Sequence, residues 1–120
     1  MAGAGRNYSV LKKKFKYIEM LDASKEMAEE IPYDVEKHLC YIEFFKWPPK
    51  RYHCIVGVFC LCYIEKSWEI TSILSKMEES CVDFGYLLFM EPVLSTDDDV
   101  NERDHPDTGQ KMKIRSVKYY

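Results

Sequence analysis

The residues in this chain that could do chemistry are cysteines, histidines and scattered carboxylates. Cys54, Cys60 and Cys62 fall within one apolar run. On an extended strand Cys60 and Cys62 would share a face, since side chains repeat every second residue, and a hairpin could bring Cys54 towards them. Three thiolates can bind a soft metal, but a fourth ligand and the Cys-x-x-Cys knuckle of zinc sites are missing. Buried thiols behaving as small hydrophobes are the competing reading. His38, His53 and His105 have no Ser or Asp neighbour in a nucleophile–base arrangement, and no phosphate-binding glycine loop is evident. Asp83-Phe84-Gly85 matches a kinase signature in letters alone, without the glycine-rich or catalytic-loop partners. These residues predict no enzyme, no cofactor and no resident metal.

The elements that would position these groups follow from the apolar pattern. Phe15–Leu21 is β-branched and aromatic enough for a strand, and Ser24 is a suitable N-cap for a short helix ending at Pro32. Val35, Leu39, Ile42 and Phe45 fall close to one helical face, so Tyr33–Trp47 is expected as the main helix, with Asp34 as N-cap. Pro48-Pro49 stops it. Tyr52–Ile64 then reads as one or two buried strands bent at Gly57. Ile70, Ile73, Leu74, Met77 and Cys81 predict a helix over residues 68–81, and Tyr86–Met90 a closing strand before Pro92.

Tyr52-His53-Cys54-Ile55-Val56-Gly57, followed by Tyr63-Ile64, resembles the most characteristic segment of the short cytoplasmic dynein light chains. Tyr33–Lys37 with Tyr41–Phe45 is similar to that family's second helix, and Leu87-Leu88-Phe89 to its last strand. The resemblance implies an α+β fold: a small antiparallel sheet packed on two helices, dimeric by strand exchange. It implies a non-enzymatic adaptor, a homodimeric hub that binds linear motifs of dynein intermediate chain and other disordered proteins by strand addition. Glu36 and Lys37 would meet the client at a helix start. Cys60, Leu61, Cys62, Tyr63, Ile64, Glu65 and Lys66 would line the binding strand, and His53, Tyr63 and Glu91 the dimer interface. His53 reads equally as an interior histidine. Departures from the family include the short first helix, the insert at 68–81 and Cys60-Leu61-Cys62 in place of Phe-Gly-Ser. A soft-metal protein using Cys54, Cys60 and Cys62, or a degenerate light chain without clients, are the alternatives.

Composition bounds the rest. A chain of 120 residues is one small domain's worth, and a net charge of −3 disfavours general nucleic-acid binding. The apolar run is too short to span a membrane. Five cysteines without a paired framework suggest a reducing compartment, and Ala-Gly-Ala-Gly-Arg after Met1 is no signal-peptide core. Asn7-Tyr8-Ser9 would then be a sequon by coincidence. The expected setting is cytoplasm and microtubule cytoskeleton. The expected organisation is a loose arm at 1–13, the domain at 14–91, and an acidic disordered tail at 92–120 carrying Asp97-Asp98-Asp99, Glu102, Asp104 and Asp107.

Overall fold

The computed structural model describes residues 2–92, 100–104 and 109–115. The chain divides into two compact units, Met1–Lys46 and Trp47–Tyr120. The expected Asp97-Asp98-Asp99 run, Asp107 and His105 lie outside the described residues.

The first unit is a strand–helix–strand crossover preceded by a short helix, α1 (Tyr8–Leu11). Strand β1 (Glu19–Asp22) leads through α2 (Lys25–Glu30) to β2 (Glu36–Leu39). The two strands run parallel, with Glu19 opposite Glu36 and Asp22 opposite Leu39. Ser24 caps α2 as expected, its Oγ accepting the Met27 N–H at 3.2 Å, an arrangement worth about 1 kcal/mol. The helix stops at Ile31 because Pro32 biases the residue before it to extended backbone. Met20, Ile31 and Val35 form the buried core, with Ala2, Tyr8 and Ile18 packed around it.

The long helix expected over Tyr33–Trp47 does not form. Its place is taken by β2 and a 3₁₀ turn at Ile42–Phe44. Leu39, assigned to the buried helical face, is 53% exposed. Pairing with β1 supplies backbone partners and core contact together, and this outweighs a modest helical pattern.

The second unit repeats the crossover on a larger scale. Strand β3 (Tyr52–Val58) passes through a 3₁₀ turn at Leu61–Tyr63 into α3 (Ser67–Ser80), which returns as β4 (Cys81–Met90). The strands β3 and β4 are parallel, in register from Cys54 opposite Tyr86 to Val58 opposite Met90. Helix α3 is the one the 70/73/77 spacing predicts, and it buries Ile70, Ile73 and Met77. Its last turn is tied to the start of β3: Lys50 N–H donates to Glu79 O at 3.0 Å and Arg51 N–H to Ser80 O at 2.8 Å. The Ser80 hydroxyl donates to Pro48 O at 2.6 Å. Between Cys81 and Tyr86 the pairing is irregular, and exposed Phe84 takes φ 63° there.

Two expectations for the Tyr52–Ile64 run change. Gly57 lies inside β3, and the chain bends at Phe59, where φ is 48°. Cys60-Leu61-Cys62 is a buried turn, not a second strand. The expected antiparallel arrangement is also overturned for β3 and β4. A helix of fourteen residues between them allows a parallel return. Among the described residues, antiparallel pairing is confined to β5 (Val100–Asp104) and β6 (Lys111–Arg115), within the region expected to be an unstructured tail. Ile114 of β6 is buried. The coarse reading, a small α+β chain with small sheets, stands. No helix among the described residues is long and apolar enough to cross a membrane.

Gly57 is needed for close packing, not for a turn. A Cβ there would sit 2.5 Å from the Phe89 ring and 2.8 Å from the Cys60 Sγ. Gly57→Ala should therefore destabilise the chain by about 1–3 kcal/mol, with partial recovery in Gly57→Ala/Phe89→Leu. Urea unfolding of the two variants measures this, and an unchanged midpoint for the single variant would contradict it.

Candidate functional site

Open α/β sheets bind ligands at the carboxyl ends of their parallel strands. In each unit, a carboxylate at such an end organises the backbone around it.

In the first unit that residue is half-buried Asp22, the last residue of β1. Its Oδ2 accepts the Gly3 N–H at 2.7 Å, and its Oδ1 accepts the Ser24 N–H at 3.0 Å. The neighbouring Leu21 carbonyl accepts the Ala2 N–H at 2.9 Å. The segment Ala2–Gly5 is thus held beside the strand end, where a loose arm was expected. Gly3 and Gly5 have φ of 55° and 73°, a region that side chains other than glycine's rarely adopt. The Gly5 carbonyl then accepts the Tyr8 N–H at 2.8 Å as α1 begins. A Cβ on Gly3 would meet nothing within 4 Å, so the turn borders open space. Each Asp22 oxygen retains acceptor capacity after its one backbone bond. A diol presented to this strand end would find two acceptors on one anion.

In the second unit Glu91 follows β4. Its Oε1 accepts N–H bonds from Cys60 at 2.8 Å and Leu61 at 3.0 Å, and its Oε2 accepts that of Cys62 at 3.2 Å. Successive backbone amides forming such a concavity are a ready site for an anion, and here the chain supplies its own. Burial, with the Glu91 charge adding to it, pushes the Cys60 and Cys62 thiols up to about 12. Both are neutral at ordinary pH and pack as small hydrophobes.

The residues singled out from the sequence are dispersed. Glu36 and Lys37 stand on β2, not in the first turn of a helix. Lys37 Nζ donates to the Ile31 carbonyl at 2.7 Å, and Glu36 Oε1 is 3.7 Å from His38 Nε2. Cys60, Leu61, Cys62 and Ile64 are buried in the turn after β3, Tyr63 is half-buried, and Glu65 and Lys66 are exposed at the approach to α3. His53 is exposed on β3 instead of interior, and Glu91 serves the turn just described. Cys54, Cys60 and Cys62 do not converge. Among the described residues, the one group with three ligand atoms close together is Glu19, Glu36 and His38. Asp22, Gly3 and Gly5 were missed. Their signal was present: two glycines alternating ahead of a helix, and an acid ending the next strand, as in nucleotide-binding fingerprints.

No family profile and no curated protein sequence matches the chain. Solved structures do. A SAM-dependent methyltransferase of the DUF858 family from Leishmania major superposes with a TM-score of 0.80 at 22% identity, covering 99% of this chain and 48% of its own. An S-adenosylmethionine-dependent methyltransferase from Mesorhizobium loti gives 0.78 at 12% identity, covering 98% and 66%. DhpI, determined as a SAM–HEP complex, gives 0.69 at 16%, covering 97% and 59%. The likeness is one of fold, and the chain spans about half the length of the first of these structures.

The resemblance to dynein light chains is therefore corrected. The structural neighbours are methyltransferases, and the His53–Gly57 segment that carried it belongs to a parallel crossover. With it fall the non-enzymatic motor adaptor, in either its active or its degenerate form, the microtubule association, the strand-exchanged homodimer and dynein intermediate chain as partner.

The Glu91 arrangement should be sensitive to truncation. Glu91→Ala leaves three amides without their acceptor and should cost about 1–3 kcal/mol, while Glu91→Gln retains part of it; chemical denaturation would rank them. The thiols add a pH dependence. Because the folded chain holds their protons above the usual 9.0 while the unfolded chain releases them there, stability is full below about pH 9 and falls as pH rises towards 12. Unfolding midpoints that stay level from about pH 8 to 10.5 would contradict this.

Proposed function

We propose that the chain is part of a methyltransferase-type α/β protein and that its first unit contributes the nucleoside end of an S-adenosylmethionine site. The observation that carries this is the Asp22 carboxylate at the end of β1, fastened to the positive-φ Gly3 turn at 2.7 Å. A glycine turn opening a helix, followed by an acid at the end of the next strand, is the arrangement that receives ribose hydroxyls in nucleotide-binding sheets. The fold likeness to SAM-dependent methyltransferases supports the choice of ligand.

The residues fit the group. Asp22 offers two oxygens with free lone pairs to the ribose diol, and the Gly3 side of the turn leaves space for the ligand. S-adenosylmethionine would supply an electrophilic methyl group on its sulfonium. The chain's own part is to bind and orient the nucleoside, with α2 and the Ser24 cap keeping the Asp22 strand end in place.

Calorimetric titration with S-adenosylhomocysteine tests this directly. Micromolar binding is expected, weakened about tenfold or more in Asp22→Ala, the loss anticipated for hydrogen bonds to a charged acceptor. A ribose-deoxygenated analogue should bind weakly to the native chain and lose little further in the variant. Absence of binding by a folded chain, or equal affinities for native protein and variant, would overturn the assignment.

A further inference from the structure

On the β1–β2 pair, Glu19 lies directly opposite Glu36, and His38 is two residues further along β2. Alternation of side chains places all three on one face. His38 Nε2 is 3.0 Å from Glu19 Oε2 and 3.7 Å from Glu36 Oε1. The three side chains are 17%, 58% and 26% exposed for Glu19, Glu36 and His38, so the group is anchored in the sheet and open to solvent on one side. The His38 ring packs against Phe45 with centroids 4.9 Å apart, which restrains its direction.

The His38 ring is already a hydrogen-bond partner of Glu19 at 3.0 Å and lies 3.7 Å from Glu36, so the fold itself gathers the three ligand atoms. A divalent ion with bonds of about 2.0–2.1 Å holds neighbouring ligand atoms about 2.9–3.4 Å apart, and the three here lie within 4.8 Å of one another. One imidazole and two carboxylates form a borderline nitrogen and oxygen set, suited to zinc-class divalent ions and leaving positions for water.

We propose that Glu19, Glu36 and His38 form a divalent-cation site of the zinc class that clamps β1 to β2. The site is separate from the Asp22 turn and does not depend on the methyltransferase reading. A bound ion would stabilise the folded chain by linkage, since the three ligands come together only when the strands pair.

The full chain, kept reduced, can be titrated with Co²⁺ by visible absorption and with Zn²⁺ by calorimetry and thermal melting. One equivalent is expected at micromolar affinity, with a raised melting temperature. The cobalt spectrum should show ligand-field bands without thiolate charge transfer. Glu36→Gln, at a mostly exposed position, should weaken binding about tenfold, and His38→Ala should abolish it. A thiolate band, affinity unchanged in Glu36→Gln, or no binding by the folded chain would each overturn the proposal.

Discussion

Two parallel strands cannot be joined by a tight turn: the chain must leave the sheet and come back to the same end. That constraint shapes both units. In the first it is met by α2, whose start is fixed by Ser24 and whose end is fixed by Pro32. In the second it is met by α3, whose Ile70, Ile73 and Met77 are buried. The return point of α3 is fastened to residues 48–51 by backbone bonds and the Ser80 hydroxyl, so helix end and strand start are one structure.

A parallel return also decides where chemistry can happen. Carbonyls and loops gather at the carboxyl ends of the strands, and an acid placed there can order the loop beside it. Asp22 does this for the Gly3 turn, and Glu91 for the Cys60–Cys62 turn. The two differ in what they leave over. Glu91 spends its charge on three amides and buries the turn it serves. Asp22 makes two bonds and faces a glycine turn with space around it. Asp22 thus keeps acceptor capacity beside open space.

The resemblance that misdirected the sequence reading has a physical explanation. A run such as Tyr52-His53-Cys54-Ile55-Val56 has the residue types of a strand in either kind of sheet, and here its side chains are half-buried or exposed. The same letters suit both settings. Their partner decides, and the partner of β3 is β4, beyond a helix that the spacing of Ile70, Ile73 and Met77 correctly announces. Taking that helix as an insert into an antiparallel fold, and not as the crossover itself, concealed the topology.

Local chemistry was legible where short-range physics governs. The Ser24 cap, the stop at Pro32, the amphipathic face of α3 and the strand expected at Tyr86–Met90 follow from neighbouring residues, and the sequence determined them. Long-range pairing was not legible. The residues around Glu36–Leu39 have a pattern that serves a helix or a strand, and β1 chose the strand. Gly57 looked like a bend until Phe89 was seen lying against it. Asp22 and Gly3 are nineteen positions apart, and Glu91 is about thirty from the amides it holds. No local rule specifies which strand end meets which turn. Tertiary structure decided that, because the energy of placing a carboxylate against a particular amide exists only once the chain has closed the loop between them.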